Sequence, residues 1–241
     1  MINLLITFSY DGSKFHGFQR QKKERSVQKD LEDVLSYSFQ ETIVIKGAGR
    51  TDAKVHAEGQ CANFFVNKNI KRKVLKNIKE SINLNLKDIV IKKIKIVDND
   101  FHARFNAKEK KYVYKMTLDK DKDFKYYGFY YGNIDYKIMK KTSKIFEGTH
   151  DFNNFVAGSR DDYHTFIKTI KVKKVKNEIY FTFVGSGFYR YMVRNLVGAL
   201  IDLGKGKVNL IELKRMLDYP SDEKSLSTAK AEGLYLMYVK Y

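Results

Sequence analysis

Ile89 to Val97 alternates apolar residues with lysine, and that two-residue period commits the stretch to a strand with one face buried and one in water. Residues 111–118 repeat the pattern and set Tyr112 and Tyr114 on a common face. Further strand patterns lie at 2–9, 43–46, 60–66, 166–176, 178–184 and 234–241. Strand patterns that adjoin in sequence, with helical ones spaced irregularly among them, give an α+β fold built on a mainly antiparallel sheet.

The helical patterns are four. Ser26 stands at the cap position before Val27, Leu31, Val34 and Leu35, which fall on one face. Residues 74–82 and 136–146 form two more. The longest pattern spans 188–203, with Met192, Val193, Leu196, Val197, Leu200 and Ile201 in an apolar stripe and Arg190 and Arg194 sharing another face. Residues 10–13 read as a turn, and 47–59 and 150–163 as loops. A charged connection near 119–123 divides the chain into an N-terminal half, 1–118, and a C-terminal half, 119–241. Strand, Gly-containing turn and helix recur at 6–35 and 181–203, a faint echo between the halves.

With 241 residues, 43% of them hydrophobic and 14% aromatic, the chain buries a sizeable core, which argues against disorder. Its net charge of +18 points to a polyanionic partner, because a Lys or Arg set against a phosphate releases condensed counterions. Much of the surplus is lysine, however, and lysine on a solvated face needs no ligand. Cys61 is the only cysteine, so there is no disulfide framework and no thiolate zinc cluster. The N-terminus reads as a strand rather than a leader, and no apolar run spans a bilayer. A soluble, cytoplasmic protein is expected.

Several site types are excluded by what is missing. Gly47-Ala48-Gly49 and Gly185-Ser186-Gly187 lack the third glycine of a dinucleotide fingerprint, and 204–207 lacks the length and hydroxyl of a phosphate loop. His56-Ala57-Glu58 resembles a deaminase zinc motif without its paired cysteines, and His16, His56, His102, His150 and His164 include no pair at metal-ligand spacing. Neither a metal nor a redox cofactor is expected. What remains is Asp52, two residues after Arg50 in a Gly-containing loop. That spacing suits a guanidinium on phosphate and a carboxylate on the sugar. By pattern alone, Thr51 and Asp52 also read as turn formers whose side chains bond the backbone.

Ordered motifs decide between these readings. The segment Gly49-Arg50-Thr51-Asp52-Ala53-Lys54-Val55-His56-Ala57 resembles the signature of the tRNA pseudouridine synthase A family. Similar matches follow in family order: Tyr10-Asp11-Gly12-Ser13, Phe18-Gln19-Arg20-Gln21, Ser26-Val27-Gln28, Phe101-His102-Ala103-Arg104-Phe105, Lys110 to Tyr114, Met192 to Gly198 and Thr228 to Leu234. The resemblance implies a pseudouridine synthase fold, with two similar halves around a central sheet and a basic cleft. It implies an enzyme, a homodimer acting on tRNA, that isomerises uridine to pseudouridine at positions 38–40 of the anticodon arm. No cofactor is needed, because the base is detached, turned and rejoined without redox change.

By the same resemblance Asp52 is the essential carboxylate, acting at C1′ as nucleophile or at C2′ as base. Tyr112 contacts the target base, Arg194 pairs with Asp52, and Arg50 and His56 belong to the substrate-binding set. Taken without it, Tyr112 is a buried aromatic on a strand and Arg194 a charge on a core helix. A synthase acting on ribosomal RNA or another tRNA site, and an RNA-binding protein without chemistry, are the competing readings. Two positions depart from the family pattern: Lys54 replaces a glycine, and Lys87 stands where a proline is frequent. If the loop needs positive φ at Lys54, the side chain costs about 1 kcal/mol.

Overall fold

The computed structural model describes residues 1–130, 132–221 and 226–241. Its backbone forms two compact units, Met1–Lys108 with Leu236–Tyr241, and Glu109–Tyr235.

The first unit opens with β1 (Ile2–Tyr10), followed by α1 (Val27–Phe39), the short β2 (Lys46–Gly47), β3 (His56–Val66), α2 (Leu75–Asn85) and β4 (Ile89–Val97). β1 lies between β3 and β4 and is antiparallel to both. Its pairing with β3 shifts register between Phe8 and Tyr10, so Tyr10 faces Ala57. Such an irregularity bends a strand and re-aims the side chains beside it. One face of this sheet is covered by α1, whose Val27, Leu31, Leu35 and Phe39 are buried. The rings of Phe39 and Phe64 lie 5.9 Å apart in that layer. Each such buried side chain contributes about 1.5–3 kcal/mol.

Ser26 is the residue before α1, as the sequence indicates, but its hydroxyl makes no cap bond and is buried without a partner. The first helical N–H groups find tertiary acceptors instead: Val27 donates to the Gly17 carbonyl and Gln28 to the Phe18 carbonyl. Two other expectations are corrected. Ile43 and Ile45 are buried, yet ladder pairing in this stretch is confined to β2, Lys46–Gly47, so their alternation records core contact rather than a strand. His56 leaves the loop and begins β3.

In the second unit β5 (Glu109–Thr117) is followed by β6 (Gly128–Phe129), α3 (Tyr136–Thr142), β7 (Gly148–Asp151), β8 (His164–Val175), β9 (Glu178–Gly185), α4 (Met192–Gly204) and α5 (Leu210–Asp218). The order β5-β9-β8-β7 is antiparallel throughout, with β6 parallel to β5. β9 leads into α4 here as β1 leads into α1 in the first unit. Tyr114, Phe181 and Phe183 are fully buried on the sheet, and Phe146, Phe152 and Phe155 interlock edge to face. α4 is buried on almost every side, which explains its continuous apolar stripe. The closing strand β10 (Leu234–Lys240) contributes its residues from Leu236 onward to the first unit, beside β3.

The long helical pattern starts later than expected. Tyr191 has φ of 62° and ends the preceding irregular segment, so α4 begins at Met192 and Arg190 lies before it. Arg190 and Arg194 therefore do not share a helix face. Each lies near the Tyr191 ring instead, at 5.0 and 4.7 Å from its centroid.

Candidate active site

In the first unit the loop that carries Asp52 is fixed by its backbone. Phe18 donates its N–H to the Thr51 carbonyl at 3.0 Å, and Lys54 donates to the Phe15 carbonyl at 3.3 Å. Val55 donates to the Asp52 carbonyl at 3.2 Å, closing a four-residue turn over Asp52-Ala53-Lys54-Val55. At the strand side, Gln60 donates its side-chain amide to the Gly49 carbonyl and Ala48 donates to Cys61. The buried Tyr10 hydroxyl meets Thr51 Oγ1 at 2.7 Å. Burial pushes that phenol up to about 12, against the smaller lowering from Thr51 and Gln60, so it stays neutral. Thr51 is thus buried while Asp52 is half-buried and Arg50 exposed.

Two glycines make this packing possible. A Cβ on Gly12 would lie 2.2 Å from the Val55 carbonyl oxygen, and one on Gly17 would lie 3.1 Å from the Thr51 oxygen. Gly17 also has φ of 99°, which other residues rarely adopt. The segment 12–18 therefore lies directly on the Asp52 loop, and α1 holds that segment through Gly17 and Phe18. Gln28 adds a second clamp, accepting from the Arg20 N–H and the Gln19 amide. The buried Glu32 carboxylate accepts from Arg20 Nε, the Gln28 amide and the Ile45 N–H, which satisfies a charge that would otherwise be costly.

His56 is buried, and its Nδ1 accepts the Gly12 N–H at 3.1 Å. Nδ1 also lies 3.4 Å from Asp11 Oδ1. A nitrogen whose lone pair takes up the Gly12 N–H has no proton to offer that oxygen, so we read the Gly12 bond as the structural one. His56 thereby ties the turn after β1 to the start of β3, behind the loop that carries Asp52.

Lys54 has φ of 66° at the third position of the Asp52 turn, where glycine is favoured. The departure from the family pattern thus falls on a position that does require a left-handed backbone. Asp88 has a similar φ of 65°, and Arg25 braces it by donating to its carboxylate and to the Lys87 carbonyl.

In the second unit Tyr112 lies on β5, almost fully buried, with its ring edge-on to Phe188 at 5.3 Å. Arg194 stands in the first turn of α4. Its Nε donates to the Ala229 carbonyl at 2.7 Å, and the Ala229 N–H returns a bond to the Arg194 carbonyl. Asn195 Oδ1 accepts from the Thr228 hydroxyl at 2.7 Å. A Cβ on Gly198 would lie 1.6 Å from the Ser227 oxygen, so α4 touches this segment backbone to backbone. The segments 192–198 and 227–230, far apart in sequence, lock together around the Arg194 side chain. Next to them the Tyr114 and Tyr130 hydroxyls meet at 3.1 Å, and Tyr130 accepts the Lys230 N–H. Burial first, then Tyr130, pushes the Tyr114 phenol well up.

The Asp52 loop, with Arg50 and His56, is thus built in one unit, and the Tyr112 and Arg194 positions in the other. Tyr10 and Gly12 belong to a motif that the sequence marks, but their contacts with the Asp52 loop, like those of Gly17 and Gln60, join segments distant along the chain and have no local signal.

Comparison with known proteins agrees with the ordered motifs. The family model described as tRNA pseudouridine synthase matches residues 6–106 and 143–241. A protein named tRNA pseudouridine synthase A from Mycoplasmoides gallisepticum is 37% identical over 241 residues, covering 99% of this chain and 91% of that protein. Proteins of the same name from Thermodesulfovibrio yellowstonii and Thermosipho africanus are 35% and 39% identical, each over 100% of both chains. The motif residues, the loop built around Asp52 and these full-length similarities agree: this chain belongs to the tRNA pseudouridine synthase family.

Proposed function

We propose that the chain isomerises uridine to pseudouridine in tRNA, at positions 38–40 of the anticodon arm, with Asp52 as the essential carboxylate. The observation that carries the reading is the full-length match to tRNA pseudouridine synthases A, together with an Asp52 loop whose backbone is fixed from both sides. A rigid loop suits this chemistry, because the carboxylate must meet the sugar of a nucleotide taken out of its stack. Arg50, exposed beside Asp52, engages a phosphate flanking the target. His56 contributes from behind, by setting the Gly12 turn on which the loop rests.

Tyr112 orients the extruded base by stacking, the role that its aromatic ring on a strand suits. Arg194, tethered by Ala229, supplies the counter-charge that keeps a carboxylate ionised. The net charge of +18 supports a tRNA partner. On the same reading the protein works in the cytoplasm as a homodimer. Among the described residues, no helix is long and apolar enough to cross a membrane. Pseudouridine mapping in tRNA from cells with and without the gene tests the assignment. Loss confined to positions 38–40 is expected, and loss at other sites or in ribosomal RNA would overturn it.

A further inference from the structure

The motif Phe101-His102-Ala103-Arg104-Phe105 takes no part in the site described above, yet it carries a heavily exposed aromatic ring. Phe105 is 76% exposed. Single apolar residues at a surface are ordinary, but this one is built into a fixed setting. The His102 ring lies 4.4 Å from the Phe105 ring, tilted by 37°, and the Arg104 guanidinium lies 5.8 Å from its centroid. The loop beneath is pinned. Asn106 exchanges bonds with the His102 backbone at 2.7 and 3.0 Å, and the Arg104 N–H donates to His102 Nδ1 at 3.1 Å. Ala103 is fully buried, donating to Asn63 and accepting from the Tyr241 hydroxyl.

The electrostatics single out a type of ligand. Burial, then Lys46 and Arg104, hold the His102 imidazole below its usual range, so it presents a neutral ring at neutral pH. The charged side chains acting on it are both cations. Neutral aromatic faces flanked by cations and fixed on a rigid loop meet the two requirements of an unpaired nucleotide: a surface for the base and positive charge for its phosphate. We propose that Phe105, with His102 and Arg104, is a stacking platform for an unpaired nucleobase of the bound RNA. This rests on the reading that the protein binds tRNA.

The chain contains no tryptophan, so Phe105→Trp gives a single fluorescent reporter at the platform. Its emission is expected to be quenched as tRNA is added, with the same midpoint as the anisotropy of labelled tRNA. A Tyr37→Trp reporter, on a residue that is 77% exposed in α1, is expected to stay unquenched. Phe105→Ala should weaken tRNA binding roughly five- to hundredfold. Phe105→Leu, which keeps apolar area but no π face, should lose nearly as much, and Phe105→Tyr little. Bound tRNA with unquenched Phe105→Trp emission, or equal quenching of both reporters, would overturn the platform. A blue shift with rising protein concentration in the absence of RNA would overturn it too, by making the patch a contact between copies. Failure of the unsubstituted protein to bind tRNA would instead refute the function on which the proposal rests.

Discussion

Replacing Gly12 by alanine adds one methyl group at the place where the turn after β1 lies on the Asp52 loop. The new Cβ would sit 2.2 Å from the Val55 oxygen, 2.4 Å from the Val55 carbonyl carbon and 2.9 Å from the His56 nitrogen. All three are backbone atoms, so no side chain can rotate away. Ordinary contact needs about 3.5 Å, which forces the turn and the loop apart by about 1 Å. That movement also strains the Gly12 N–H bond to His56. Overpacking of this kind costs about 1–3 kcal/mol, and displacement of a catalytic group by about 1 Å costs about a hundredfold in rate. Single-turnover tritium release from 5-tritiated uridine in tRNA, at saturating enzyme, should therefore slow about a hundredfold. tRNA affinity should hold, because Gly12 presents no charge to the RNA. Gly187→Ala, whose Cβ meets nothing within 4 Å, serves as the stability control. A Gly12→Ala enzyme with unaltered melting temperature and a rate within about threefold of the unsubstituted protein would refute the argument that this contact positions Asp52.

Other expectations follow from the same contacts. Lys54→Gly relieves a left-handed backbone worth about 1–2 kcal/mol but frees the unfolded chain by about 0.4–1 kcal/mol. It should thus melt at or above the unsubstituted protein in urea, whereas Lys54→Ala should not gain. Gly198→Ala drives a Cβ into the Ser227 carbonyl and should lower thermal stability by several degrees. Glu147 is buried enough to raise its carboxyl, but bonds from Lys144, the Ile170 N–H and Thr169 outweigh that and lower it. A lowered folded value stabilises above the unfolded value near about 4.3 and is lost as pH falls through the folded one. The stability gap between the unsubstituted protein and Glu147→Gln should therefore close below about pH 4, as read by denaturation across pH. tRNA affinity should fall steeply from low to moderate salt, and a flat response would place the lysine surplus away from the RNA.

What the sequence disclosed follows the range of the forces involved. β4 spans the residues that the lysine-rich pattern marks, with Ile89, Ile91 and Ile94 buried and Lys92, Lys93 and Lys95 exposed, because one face of a strand records its burial directly. The helix α5 lies outside the four helical patterns although its signal is local: Asn209 caps it and Glu212 closes the capping box. Ser26 was placed before α1, but the acceptors that replace its hydroxyl come from Gly17 and Phe18, which no local pattern reveals. The start of α4 lies later than its apolar stripe indicates, because the stripe says nothing of the left-handed Tyr191. The ordered motifs point to the Asp52 loop as the candidate site, and the glycine missing at Lys54 marks a position whose φ is positive. The motif at Tyr10 to Ser13 is visible in the sequence, but the contacts of Tyr10, Gly12 and Gly17 with the loop are not, since they join segments some forty residues apart.

The most direct test is Asp52→Asn, which keeps the size of the side chain and removes its charge. Pseudouridine formation in tRNA should fall by roughly 10³-fold or more while tRNA binding at moderate salt is retained. Formation at the unsubstituted rate would contradict Asp52 as the essential carboxylate. Absence of formation by the unsubstituted enzyme on tRNA containing uridine at positions 38–40 would contradict the proposed reaction itself.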